Sequence, residues 1–261
     1  MMTRRNLMTT AGGVALASAS ASAADSKPMI LQLTKLRLRN TADNQMSRCS
    51  DFLSKGFLPA AQRAGIGPVG FFASLVAPDT PYILVLATYA SLAGMETASA
   101  KLEADKDYMS ALAAFNAQPG LNYVRMERSL LRAFDAMPAV EVPPGDAKRP
   151  ARVFELRTYE SNNSSSLKKK IKMFADGEID IFRKSGLLPV FFGETIVGTN
   201  MPNLTYLLAY DDLASREKNW GVFGSSPEWR KLRATPGYAD AEIVSNISNV
   251  FLRPLPFSPI R

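Results

Sequence analysis

The chain has 261 residues, enough for one large or two small domains with real cores, and its 46% hydrophobic and 21% charged residues are those of a folded globular protein. Its single cysteine, Cys49, excludes an internal disulfide and a cysteine-rich metal site, and the lack of any histidine excludes Ser-His-Asp and Cys-His nucleophiles, His-ligated zinc and His-ligated haem, so no metal and no cofactor is expected. The formal charge of +7 is mild, and no Lys/Arg cluster is interleaved with aromatics, so nucleic acid is not an expected partner.

The first element in chain order reads as an address. "MMTRRNLMTTAGGVALASASASAAD" places Arg4 and Arg5 before Leu7, Met8 and a weakly apolar Ala/Gly run, with an A-x-A cleavage site at Ala21 and Ala23. Residues 1–26 are therefore expected to be a twin-arginine export signal, cleaved near Ala23, that directs the chain to the periplasm or outside the cell. A frayed Ala-rich helix is the competing reading. The run is too short and Ser-rich to fill a hydrocarbon core, which needs ~20 apolar residues, so no stable membrane insertion is expected after the signal is removed. Without Arg4 and Arg5 the balance is 31 − 2 = 29 basic against 24 acidic residues, a net of +5.

The remainder is written twice. "QRAGIGPVGFF" (62–72) matches "RKSGLLPVFFG" (183–193) at an offset of 121, which also pairs Pro81 with Pro202, Tyr89 with Tyr210 and Tyr108 with Trp229. At the first strand of each copy the match slips to 120, setting "KLR" (35–37) against "ELR" (155–157). Each copy opens with a strand, about 29–38 or 152–160. A helix follows, introduced by "TADN" or "SNNSSS", whose side chains can accept first-turn N–H groups, and stopped at Gly65 or Gly186. Next come a strand with "VGFFASLV" or "FFGETIV", a Pro/Asn turn, a third strand "YILVLATY" or "LTYLLAYD", a second helical region and a last strand. The Pro-rich segment 136–150 reads as a linker between a first domain, 27–135, and a second, 151–261.

The order β-α-β-β-α-β is that of a split, ferredoxin-like unit with one sheet face bare. The expected fold is therefore α+β: two tandem ferredoxin-like domains packed sheet to sheet, an intrachain version of a dimeric α/β-barrel. Whether such a chain also forms a homo-oligomer stays open.

Candidate binding residues come from the alternation in "VFELRTYES" (153–161). Phe154, Leu156 and Thr158 share one face; Glu155, Arg157 and Tyr159 share the other. Phe154 and Leu156 are expected under the helices, with Glu155, Arg157 and Tyr159 in the space between the sheets. Lys35, Arg37 and Arg39 are their counterparts, and Tyr206 and Tyr210 are further wall residues. So basic a set in a closed space calls for an anion, which arginine holds bidentately. Two other readings compete: an ion-pair network at the domain seam, and ordinary solvated strand ends. Trp229 and Tyr108 read as core, Lys168–Lys170 with Lys172 as a solvated helix face, and Cys49 as buried and inert. No G-x-S-x-G, G-x-G-x-x-G or phosphate loop is present.

"FELRTY" (154–159), "GLLPVFFGE" (186–194) and "SPEWRKLRATPGY" (226–238) together resemble the NIPSNAP family of the dimeric α/β-barrel superfamily. The likeness covers about 150–257, and the first half looks like a diverged copy. The resemblance implies a ligand cavity against the sheet but supplies no catalytic motif and fixes no reaction. Two functional classes follow. One is an exported protein that binds a small anionic or aromatic molecule between its sheets. The alternative is a cofactor-independent oxygenase or isomerase acting on a small aromatic or phenolic substrate. Whether the chain is an enzyme is left open.

Overall fold

The computed structural model describes residues 27–41, 44–145 and 149–261; the expected signal, 1–26, lies outside them. In the first half β1 (Ile30–Arg37) leads through α1 (Gln45–Phe52), a π-turn (Leu53–Phe57) and α2 (Leu58–Ala64) to β2 (Gly70–Val76) and β3 (Tyr82–Tyr89). Then α3 (Leu92–Ala104) and α4 (Lys106–Asn116) precede β4 (Arg125–Ala133). The second half repeats this with β5 (Val153–Glu160), α5 (Ser164–Met173), a π-turn (Phe174–Glu178), α6 (Ile179–Lys184), β6 (Leu188–Val197) and β7 (Asn203–Tyr210). It ends with α7 (Leu213–Ser225), α8 (Pro227–Arg233), the short α9 (Asp240–Ile243) and β8 (Asn246–Pro254).

Local chemistry sets these boundaries. The side chains of Ser91, Asp105, Asp212 and Ser226 accept N–H groups in the first turns of α3, α4, α7 and α8, satisfying donors that have no partner within the helix. Gly65 and Gly186, both at φ +80°, take the left-handed stop after α2 and α6. Strands β3 and β7 are buried along their whole length, helices on one face and barrel interior on the other, and both are rich in apolar and aromatic residues.

All eight strands close into one antiparallel barrel in the order β1-β3-β2-β8-β5-β7-β6-β4. The halves meet edge to edge at two seams, β2 with β8 and β4 with β6, so neither four-stranded sheet keeps a free edge. Inward residues of every strand, among them Leu31, Leu86, Phe72, Phe154, Phe191 and Leu252, fill the middle of the barrel. Two further cores lie outside it, each between one half's strands and that half's helices.

The register corrects the sequence reading in one decisive respect. β3 and β7 correspond at 121, as the repeat predicts. However, Ile30 pairs with Tyr89 and Val153 with Tyr210, so β1 and β5 correspond at 153 − 30 = 123, not 120. A difference of three is odd, and an odd slip turns every side chain to the opposite face. Gln32, Thr34 and Leu36 are thus the counterparts of Glu155, Arg157 and Tyr159; Lys35 is the counterpart of Thr158. The expected facing is also reversed. Phe154 points into the barrel, its ring 4.9 Å from that of Phe72 in the other half, and Tyr159 lies against Phe174 beneath the helices.

Lys170 is a second correction. It does not sit on a solvated face with Lys168 and Lys169, but is almost wholly buried, its Nζ 3.0 Å from Glu178 Oε2 and facing the rings of Phe174, Tyr159 and Trp229. The π-turn between α5 and α6 carries Glu178 to the same side as Lys170, which helical periodicity alone does not foresee.

Candidate functional site

Five of the residues singled out from sequence, Glu155, Arg157, Tyr159, Tyr206 and Tyr210, come together between β5, β7 and the helices of the second half. Glu155 is fully buried. Its Oε1 accepts from Arg157 Nη1 (2.7 Å), Arg216 Nη2 (3.0 Å) and Asn249 Nδ2 (2.9 Å). Its Oε2 accepts from Tyr210 Oη (2.9 Å), Arg216 Nε (3.1 Å) and Trp220 Nε1 (3.2 Å). Arg157 also donates to Tyr206 Oη (2.8 Å) and Tyr159 Oη (3.2 Å), while its guanidinium faces the Trp220 ring at 4.6 Å. Burial alone would push the Glu155 carboxyl up; the hydrogen bonds from Arg216 and the charge of Arg157 outweigh it and hold the group at about 2.

This cluster is saturated. Each lone-pair direction of Glu155 is used by a partner within the fold, so this cluster is a polar core of the second half. Sequence reasoning missed three of its members, Arg216, Trp220 and Asn249, because they lie on α7 and β8, far from "VFELRTYES".

Lys35 and Arg37 are elsewhere, on the inward face of β1 at the barrel mouth, where Lys35 pairs with Glu127 (2.9 Å) and Arg37 with Asp79 (2.8 Å). Arg39 is exposed beyond the end of β1, and its backbone N–H donates to Gln45 Oε1.

The first half shows what the second has filled. Carrying Arg157, Tyr159, Tyr206 and Trp220 across by strand register and by the 121 offset of α3 and α7 gives Thr34, Leu36, Val85 and Ser99. Four bulky side chains become four smaller ones. A cavity of about 350 Å³ occupies the vacated region, between β1, β3 and β4 below and α1, α3 and α4 above. A volume of this size lies within the usual range of small-molecule pockets.

The cavity has an ordered polar floor. Tyr89 Oη donates to Gln32 Oε1 (3.3 Å), and Gln32 Nε2 donates to Thr34 Oγ1 (3.1 Å). Its walls are aromatic: Phe52 stacks on Phe115 at 4.6 Å, and Tyr108 approaches Phe52 and Phe57 at 6.1 and 6.5 Å. Among the described residues neither the Tyr108 hydroxyl nor the Arg128 guanidinium, both lining the space, makes a hydrogen bond or ion pair. Burial pushes the Tyr89 and Tyr108 phenols above their ordinary range, and the Arg128 charge opposes this only in part. Both are therefore proton donors at neutral pH. Cys49 also lines the cavity, fully buried, its Sγ donating to the Asn122 carbonyl.

No motif announced these residues. The available signal was comparative: small residues in one copy where the other has Arg, Tyr and Trp, readable only in the correct register.

Comparison with known proteins bears on the fold. A candidate monooxygenase from Lactobacillus acidophilus NCFM is similar with a TM-score of 0.58 and 10% identity, covering 87% of this chain and 94% of its own. A second, from Fusobacterium nucleatum subsp. nucleatum, gives 0.57 and 12% identity over 88% and 93%. An uncharacterized NIPSNAP-like domain protein from Burkholderia xenovorans is 21% identical over 41% of this chain and 89% of its own, with a TM-score of 0.37. No curated protein matches the chain in sequence. The first two share the α+β barrel architecture with this chain, and at such identities the likeness is one of fold. Residues 154–259 match the NIPSNAP family, so the half with the saturated polar core carries a NIPSNAP domain.

Proposed function

We propose that this protein binds a small molecule with an apolar, aromatic body and an anionic group, in the helix–sheet cavity of its first half rather than between its sheets. One observation carries this. The positions that hold Arg157, Tyr159, Tyr206 and Trp220 in the second half hold Thr34, Leu36, Val85 and Ser99 in the first, leaving about 350 Å³ lined by phenols and overlooked by Arg128. Stacking on Phe52 and Tyr108, donation from Tyr108 and the positive charge of Arg128 would recognise such a ligand.

The alternative is a cofactor-independent oxygenase or isomerase, the kind of activity that the candidate monooxygenases of like fold suggest. Such chemistry on a phenol begins with removal of a proton. Among the described residues the cavity lining holds no carboxylate, and burial holds its Tyr89 and Tyr108 phenols protonated. Binding is therefore favoured over catalysis.

The same proposal includes export on a twin-arginine signal, and two tandem ferredoxin-like units, 27–135 and 151–261, joined by a linker at 136–150. The matching strand orders, β4-β1-β3-β2 and β8-β5-β7-β6, support the tandem reading.

The binding test is calorimetry with 2-naphthoate, benzoate and hexanoate. 2-Naphthoate is expected to bind best. The double variant Val85→Tyr/Ser99→Trp, which restores the bulk of the other half, should abolish binding, and Arg128→Ala should weaken it about fivefold. Undiminished binding to the filled variant would refute this assignment.

A further inference from the structure

The barrel interior is unlike at its two ends. Around Phe72, Phe154 and Leu252 it is apolar and closed. Toward the C-terminal ends of β1 and β5 the inward positions turn polar and surround an open cup of about 230 Å³. Leu33, Leu84 and Leu131 form its floor, while Thr158, Thr195 and Thr205 stand in its wall. A barrel that needed only closure could carry valine at those three positions, as buried hydroxyls cost free energy unless bonded.

Their hydrogen bonds have a direction. Asn203 donates both amide hydrogens to the carbonyls of Thr199 and Asn200, at 2.9 Å each. Its Oδ1 therefore only accepts, from Thr195 Oγ1 at 2.6 Å and, at the long limit, from Thr205 Oγ1 at 3.5 Å. Thr158 and Thr205 share one further hydrogen bond at 2.9 Å, in which either hydroxyl can donate. At least two of the three threonine protons are thus spent inside the wall, one on Asn203 and one between Thr158 and Thr205, so these threonines offer the cup more lone pairs than protons. It is matched to a ligand that brings hydroxyl donors.

The rim adds charge. Lys35 Nζ lies 2.9 Å from Glu127 and 4.0 Å from Asp79, Arg37 pairs with Asp79 at 2.8 Å, and Arg125 approaches Glu127 at 3.9 Å. Among the described residues three cations share two carboxylates on this side of the rim, while Glu160, on the same face of β5 as Thr158, accepts from Asn200 and Asn246 on the other, so the Lys35 side is the cationic one.

We propose that the barrel mouth is a second binding site, separate from the first-half cavity, for a polyhydroxylated anion: a sugar acid or a sugar phosphate. Its hydroxyls donate to the threonine oxygens, its C–H face rests on the leucine floor, and its anion meets the Lys35 side of the rim.

The test is calorimetry with D-glucuronate and D-glucose 6-phosphate, against D-glucose, acetate and inorganic phosphate. At least one sugar anion should bind about tenfold or more tightly than all three controls, and which one binds better identifies the source of the charge. Thr158→Val, which keeps shape but loses the hydroxyl, and Lys35→Met should each weaken it by about tenfold. Neither should alter 2-naphthoate binding, which belongs to the other cavity. Failure of both sugar anions to bind, or undiminished binding by both variants, overturns the proposal. Equally tight binding of acetate or phosphate would make the rim a plain anion site and overturn it too.

Discussion

Replacing Glu155 by glutamine exchanges one oxygen for an amide nitrogen and keeps the shape, yet it reaches the most heavily bonded group of the second half. The carboxylate accepts six hydrogen bonds among the described residues, and its two arginines rely on it for charge. A carboxyl that ordinarily titrates at 4.5 and is held at about 2 contributes ~3 kcal/mol to folding at neutral pH. The sign follows from the depressed value: the contribution is present in full above pH 4.5 and is lost as pH falls toward 2. Urea unfolding at pH 7, followed by the fluorescence of Trp220 and Trp229, should place Glu155→Gln about 3 kcal/mol below the wild type. The gap should close as the pH is lowered from 4.5. Because Arg157 is buried and would be left facing an amide, Glu155→Gln/Arg157→Met should be more stable than the single variant. A loss under about 1 kcal/mol, or a gap that does not change with pH, would refute the assignment of Glu155 as the electrostatic centre of this core.

Two further outcomes are expected. Burial pushes the Cys49 thiol up to about 11, so at pH 8 iodoacetamide should label it at least about a hundredfold more slowly than a free cysteine, and 2-naphthoate should slow it further because Cys49 lines the cavity; a free-cysteine rate would show the thiol to be open. Arg4→Lys/Arg5→Lys should leave the precursor inside the cell on fractionation, and normal export of that variant would remove the twin-arginine reading.

The repeat was legible because its carriers are local: glycine stops at Gly65 and Gly186, capping residues before helices, and the apolar runs of β3 and β7. Facing was not. "VFELRTYES" alternates cleanly, but alternation says only that two faces differ, and in a closed barrel with helices outside both faces are buried. The polar residues of β5 went outward because α7 brings Arg216 and Trp220 to meet them, a contact 61 to 65 residues away in sequence. The burial of Lys170 was hidden for a related reason, since its partner Glu178 reaches it through a π-turn. The first-half cavity was least legible of all. It is made by what Thr34, Val85 and Ser99 lack, and no residue type marks an absence.

The two seams, β2 with β8 and β4 with β6, have a consequence for stoichiometry. In a barrel assembled from two identical subunits every substitution acts twice, so a cleft opened in one subunit opens in both, and a core filled in one is filled in both. Joining the halves in one chain releases that constraint. The 154–259 half could commit its interior to Glu155, Arg157 and Trp220, and so to rigidity, while its partner gave up the same bulk. The expected saturation for a helix–sheet ligand is accordingly one per barrel, where a symmetric assembly of the same architecture would take two. Titration to a half-integral or double end point would show that this division of labour between the copies had not taken place.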